Sequence, residues 1–249
     1  MSLSRLEMFR ESLQLLVTHP RRFIQTFRRI FQPMREDYRR RLDMTLSEWL
    51  IYHQKNIECE KCHWMGVRAL KSPFDAWIYQ EIIYDIKPDV IIEIGSAYGG
   101  STLYFANLLD LLGKGIVVSI DIDRSIFAVK HHRIVAITGD CSSPEVIGEV
   151  SKLCRDKKIL VIHDGDHRKE AVLRDLAIYS KLVSINSYLI VEDGIMDLFK
   201  YGDGMGRLYE GPLKAVDEFL RSNTDFVVDM EREKYLLTYN PRGFLKRIR

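Results

Sequence analysis

The chain has 249 residues, 46% apolar and 29% charged, a size and balance that suit one compact globular domain with a small extra segment. A net charge of +2 supplies no global field for nucleic acid. No run of about 18 apolar residues is present to span a bilayer, and residues 1–14 lack the uninterrupted apolar stretch of a secretory leader.

The charge is unevenly placed. Residues 1–41 hold ten Arg and no Lys against Glu7, Glu11, Glu36 and Asp37, a local +6 that leaves −4 for the rest. Phe23, Ile24, Phe27, Ile30 and Phe31 recur there at helical spacing with Arg between them. Pro20 suits the first turn and Pro33 a stop. Residues 1–45 are therefore read as a basic amphipathic segment, separate from a body over 46–249. Its apolar stripe packs on that body or on another subunit. The alternative is that residues 20–41 touch an anionic membrane surface peripherally, on the inner face. The expected compartment is the reducing cytoplasm, with Cys59, Cys62, Cys141 and Cys154 as free thiols. Cys59 and Cys62 have zinc-knuckle spacing but no second pair to complete it.

From Pro73 the chain alternates helical and extended patterns. Residues 75–86 read as a helix broken by Lys87-Pro88-Asp89, and 90–94 as a buried strand. A helix over 101–112 stops at Gly113 and Gly115; strands follow at 117–120 and 134–137. Next come a helix at 144–153, a strand at 159–162, a helix at 169–182 and a strand at 188–191. A helix at 212–220 leads to strands at 226–228 and 235–239, close enough to pair antiparallel. Such alternation predicts an α/β fold with a doubly wound, mostly parallel sheet and helices on both faces. Ligands of such sheets lie beyond the carboxyl ends of the strands. There the acids gather: Asp121, Asp140, Asp164, Glu192 and Asp193 each follow an apolar run.

The first strand ends in Glu93-Ile94-Gly95-Ser96-Ala97-Tyr98-Gly99-Gly100-Ser101, a glycine turn opening a helix. A nicotinamide fingerprint would read G-x-G-x-x-G, whereas this one reads E-x-G-x-x-x-G. Glu93 suits a cationic amino-acid group, and Ser101 at the helix start suits a carboxylate. Asp121, 26 residues after Gly95, is placed for ribose hydroxyls, and Asp140 for an adenine amino group. These needs match S-adenosylmethionine, with Glu93, Gly95, Ser96, Tyr98, Gly99, Ser101, Asp121 and Asp140 as its candidate residues. An NAD-dependent oxidoreductase is the weaker enzyme alternative. A non-catalytic binding protein with a methyltransferase fold is the other.

Asp164, Glu192 and Asp193, from neighbouring strand ends, form a hard oxygen set for Mg²⁺, with Mn²⁺ or Ca²⁺ as alternatives. His167, three residues past Asp164, is the candidate general base. His163 is read as structural, and Asp166 as a cap for the next helix. The glycines at 202, 204 and 206 suggest a cover over the site, and Trp64 a wall of the acceptor pocket.

The stretches His63-Trp64-Met65-Gly66, Lys71-Ser72-Pro73, Tyr79-Gln80-Glu81, 93–101, 119–123, 164–167 and Val191-Glu192-Asp193 resemble the cephalosporin hydroxylase / rhamnosyl O-methyltransferase family. The ending Leu236-Leu237-Thr238-Tyr239-Asn240-Pro241 with Gly243-Phe244-Leu245 is similar to it too. The resemblance spans about residues 60–249. It implies a Rossmann-like class I methyltransferase fold, a seven-stranded sheet with an antiparallel last strand, and S-adenosylmethionine binding. It also implies Mg²⁺ on Asp164, Glu192 and Asp193, and His167 as the catalytic His of the D-x-x-H step. A sugar hydroxyl on a glycolipid, polysaccharide or glycosylated small molecule would be the acceptor, and a homo-oligomer the assembly. No iron-binding triad supports hydroxylation.

Overall fold

The computed structural model describes residues 41–203 and 205–249. The chain falls into two units, Met1–Trp49 and Leu50–Arg249. The basic helix read over residues 20–41 lies, apart from Arg41, outside the described residues.

The second unit is built on seven strands: β1 (Val90–Ile94), β2 (Ile116–Asp121), β3 (Ile134–Thr138), β4 (Ile159–His163), β5 (Tyr188–Val191), β6 (Phe226–Val228) and β7 (Phe244–Arg247). Their order across the sheet is β3-β2-β1-β4-β5-β7-β6. The first five are parallel, and β7 runs antiparallel to both β5 and β6. Five helices flank it: α1 (Pro73–Ile86), α2 (Gly100–Leu112), α3 (Pro144–Cys154), α4 (Lys169–Tyr179) and α5 (Pro212–Ser222).

Strand periodicity sorts the core into two layers. Val90, Ile92 and Ile94 of β1 face α3, α4 and α5, with Val118, Val161, Leu189, Val150, Leu176 and Phe219 around them. Ile91 faces the other way, onto α1 and α2, with Ile82, Phe105, Leu109, Leu160 and Ile190. A fully buried Ile or Leu in either layer contributes roughly 1.5–3 kcal/mol relative to exposure.

The expected strand at 235–239 is not one. Instead β7 supplies the antiparallel strand, inserted between β5 and β6. Residues around Thr238 and Tyr239 are held in irregular form by side chains: the Thr238 hydroxyl and the Tyr239 amide (2.8 Å) donate to buried Asp75 on α1. The helix expected over 169–182 ends earlier, at Tyr179. Ahead of the sheet, a π-helical turn, Gln54–Glu58, leads into a short antiparallel pair, His63–Trp64 with Val67–Arg68.

Candidate active site

A cavity of about 620 Å³ opens over the carboxyl ends of β1, β2 and β4. One wall is the β1–α2 turn. Gly95 there has φ +83, and a Cβ on it would stand 2.0 Å from the Asp164 carbonyl oxygen. Gly99, the N-cap of α2, has φ +87 and would meet the Phe127 ring at 2.8 Å. These two glycines let the turn close onto β4 and onto the loop after β2.

Asp121 holds that turn. Its Oδ2 accepts the Ser96 and Ala97 amides, each at 2.9 Å, and the Ser96 hydroxyl at 3.2 Å. Burial works against its charge, but those donors outweigh burial and lower its pKa. Ser96, Tyr98, Ser101, Asp121 and Asp140 all line the cavity. Asp140 spends Oδ1 on the Ser142 amide (2.8 Å) and hydroxyl (2.7 Å), which lower its pKa.

Glu93 and Gly99 stand behind the wall and do not line the cavity. Glu93 is fully buried, accepts the Thr102 hydroxyl, and leaves Oε1 without a hydrogen-bond partner. Burial raises its pKa, against the pull of Lys71. Trp64 is likewise turned away from the cavity: its Nε1 donates to Asn107 Oδ1 at 2.9 Å and its ring packs edge-on against Tyr104.

The opposite wall carries the acids. Strands β4 and β5 pair with His163 opposite Val191, so Asp164 and Glu192 leave adjacent strand tips together. Asp164, His167 and Asp193 each offer a ligand atom, all within 4.8 Å of one another. His167 Nε2 lies 3.3 Å from Asp164 Oδ1 and 3.5 Å from Asp193 Oδ2. Glu192 sits to one side. Its Oε2 is 2.8 Å from Lys71 Nζ, which also pairs with Asp164, and its Oε1 is buried without a hydrogen-bond partner. Asp164 and Asp193 thus meet with His167 on the cavity, whereas Glu192 falls outside that group, does not line the cavity, and is tied to it through Lys71.

The charges shift one another. Burial pushes the Glu192 and Asp193 carboxyls up. Burial also opposes the Asp164 charge, yet Lys71 and His167 outweigh it and hold that pKa down. For His167 burial acts downward, but its hydrogen bond to Asp164 and the Asp193 charge raise it above 6.5. Lys71 stays charged despite burial because Asp164, Glu192 and Glu93 surround it.

Two members were not among the expected site residues, although Lys71 stands in one of the stretches that carry the resemblance. Lys71 precedes α1, and Glu58 comes from the π-helical turn, buried on the cavity wall. Burial and the Asp193 charge push Glu58 up to about 9. Neither lies near the acids in sequence, so only the folded chain brings them in.

The segment after Leu236 braces the cluster. Asn240 Oδ1 accepts the Asp193 amide at 3.1 Å, and its Nδ2 donates to the Tyr79 hydroxyl at 2.7 Å. His163 is buried against Asp175 at 3.0 Å. Asp166 accepts the Arg168 amide at 3.0 Å and pairs with its guanidinium, fixing the residue before α4. Arg207, from the glycine-rich stretch, lines the cavity. All four cysteines are free thiols.

The strand order 3-2-1-4-5-7-6 with β7 reversed, together with a glycine turn after β1 and an acid closing β2, defines a class I S-adenosylmethionine-dependent methyltransferase fold. Residues 56–248 match the family model described as Rhamnosyl O-methyltransferase/CmcI, and the chain belongs to that family. It is 31% identical over 212 residues to a rhamnosyl O-methyltransferase of Mycobacterium leprae (strain TN), covering 82% of this chain and 91% of the relative. A rhamnosyl O-methyltransferase of Mycobacterium tuberculosis (strain ATCC 25618 / H37Rv) is 31% identical over 216 residues, covering 82% and 86%. A solved structure of cmcI with Mg and SAM superposes with a TM-score of 0.60 at 22% identity, covering 88% of each chain, and shares the fold.

Proposed function

We propose that this S-adenosylmethionine-dependent O-methyltransferase acts with Mg²⁺ on a hydroxyl of a sugar-containing acceptor: a glycolipid, a polysaccharide or a glycosylated small molecule. The observation that carries it is the convergence of Asp164, Asp193 and His167 on the cavity walled by the glycine turn. The family and its rhamnosyl-modifying relatives support a sugar as acceptor.

The residues fit both groups. The turn is closed by Gly95 against β4, Asp121 offers a carboxylate, and the start of α2 faces the cavity without a side-chain cap. An anionic amino-acid end is favoured at that helix start. S-adenosylmethionine supplies the electrophilic methyl group there. Asp164, Asp193 and Glu192 give oxygen donors only, the donor class that Mg²⁺ takes. Held by these residues, Mg²⁺ would supply the positive charge that lowers the pKa of an acceptor hydroxyl.

The chain's own residues do the rest. The wall formed by Gly95, Tyr98 and Asp164 orients donor and acceptor in line. His167 Nε2 takes the acceptor proton, and the buried side chain of Glu58 on the cavity wall keeps bulk water from the nucleophile. A second reading has its own support: His167 Nε2 reaches both Asp164 and Asp193, which suits it as a nitrogen ligand. Calorimetry with S-adenosylmethionine, with and without Mg²⁺, tests the core. Methyl transfer to a rhamnoside that proceeds unchanged in chelator sinks the metal mechanism.

Among the described residues no helix is long and apolar enough to cross a membrane. The arginines of residues 20–41 support a peripheral contact with an anionic membrane near a lipid-linked acceptor. Liposome flotation unaffected by deletion of 1–41 refutes that contact. The separate basic segment over 1–45, a cytoplasmic setting and a homo-oligomeric assembly belong to the same proposal; gel filtration with light scattering tests the last.

A further inference from the structure

Among the described residues, Lys71 is the ammonium group buried among the acids. Its side chain is 7% exposed, and its Nζ pairs with Asp164 Oδ2 and with Glu192 Oε2 at 2.8 Å. Asp164 and Glu192 are two of the three carboxylates assigned above to the divalent cation. A cation bound by these carboxylates takes lone pairs that Lys71 now uses, and two positive charges cannot share them in a buried site without a large repulsion.

The surroundings give Lys71 somewhere to go. Among the described residues, Glu93 Oε1 and Glu192 Oε1 are buried carboxylate oxygens without a hydrogen-bond partner, with the Ser101 hydroxyl near the first carboxylate and the Tyr79 hydroxyl near the second. Both carboxylates act electrostatically on Lys71, Glu192 more strongly than Glu93. Glu93, near the end of β1, does not line the cavity, and its carboxylate acts on Lys71 from behind the wall. An unpaired buried acceptor is costly, so the free oxygen of Glu93 offers the ammonium group a second seat.

We infer that Lys71 is a built-in competitor of the divalent cation, a positioning residue that neutralises Asp164 and Glu192 and moves towards Glu93 when the cation binds. It sets the affinity of the cluster and keeps the acids together while no metal is held. This rests on the proposed Mg²⁺ site. Its consequence is that removing the ammonium tightens Mg²⁺ binding and makes folding depend on it.

The test is calorimetric titration of the full chain with Mg²⁺, comparing wild type, Lys71→Met and Lys71→Arg, with melting curves in Mg²⁺ and in chelator. Lys71→Met is expected to bind Mg²⁺ about tenfold or more tightly, to melt lower than wild type in chelator, and to gain more from Mg²⁺ than wild type does. Lys71→Arg keeps the charge and stays near wild type. Should Lys71→Met fold poorly, the lysine ¹⁵Nζ signal of the wild type is followed during Mg²⁺ titration, and a shift of the buried ammonium is expected. Equal or weaker Mg²⁺ binding by a folded Lys71→Met, or an ammonium signal unmoved by saturating Mg²⁺, overturns the inference alone. Absence of Mg²⁺ binding in both wild type and Lys71→Met overturns the metal reading and the inference with it.

Discussion

Gly95 carries no side chain where the Asp164 carbonyl passes, 2.0 Å from the place a Cβ would take. The turn that frames the donor wall and the strand tip that bears the first acid are therefore in backbone contact. Neither can shift without the other.

Gly95→Ala is expected to damage both halves of the site at once. The substituted residue would need φ +83 and would collide with backbone rather than with a yielding side chain. A loss of roughly 2–4 kcal/mol in denaturant unfolding, with weakened S-adenosylmethionine binding, is the expected result. Gly113→Ala is the control: its φ is +73 but nothing lies within 4 Å, so it costs about 1 kcal/mol and leaves ligand binding intact. Equal effects of the two substitutions would refute the contact argument.

Asp193→Asn isolates a charge without changing shape. Asp193 sits at φ +62, a left-handed conformation that Asn also tolerates, and its amide bond to Asn240 is preserved. The loss is confined to one anionic oxygen facing His167. Mg²⁺ affinity is expected to fall at least about 100-fold while the fold, followed by circular dichroism, is kept. Undiminished Mg²⁺ binding would remove Asp193 from the ligand set.

The parallel strands were legible because β1, β4 and β5 are buried throughout, which leaves continuous apolar runs such as 90–94. The acids at their tips were legible for the same reason, since polarity begins where the sheet ends. The antiparallel strand was not. Phe244–Arg247 shows two apolar residues followed by Lys246 and Arg247, while Leu236 and Leu237 look more strand-like. What decides between them is tertiary: Asp75 claims the Thr238 hydroxyl and the Tyr239 amide, and Asn240 is claimed by Tyr79. The unequal roles of the three carboxylates were hidden for a similar reason. Lys71 lies 93 residues from Asp164, and no local pattern announces a pairing at that range.

Asp75 makes the C-terminal brace sensitive to pH. Burial raises its pKa from the usual 3.8 to about 6, against the hydrogen bonds from Thr238 and Tyr239. The folded chain therefore holds a proton that the unfolded chain releases. Its stabilising effect is complete below about pH 3.8, declines as pH rises towards 6, and is gone above that. The difference amounts to about 3 kcal/mol at most. Thermal melts of wild type and Asp75→Asn between pH 4 and 7 should converge in slope above pH 6 and differ below it. Parallel curves across the whole range would show that Asp75 does not titrate there.

His167 separates the two readings of its role. As a general base it must be neutral to accept a proton, and the carboxylates of Asp164 and Asp193 raise its pKa above 6.5 in the metal-free protein. In that form its charged state is favoured by folding, so its contribution to stability is full below pH 6.5 and is lost as pH rises through the higher folded value. A bound dication opposes the proton, so Mg²⁺ should lower the pKa and extend activity to lower pH. His167→Gln is then expected to reduce kcat by about 10²- to 10⁴-fold, to abolish the acid limb of the rate profile, and to leave Mg²⁺ affinity within a few-fold of wild type. If His167 is a ligand, the order reverses: Mg²⁺ binding weakens first, and excess Mg²⁺ restores most of the rate. Measuring kcat and Mg²⁺ affinity on the same variant decides between proton acceptor and nitrogen donor at Nε2.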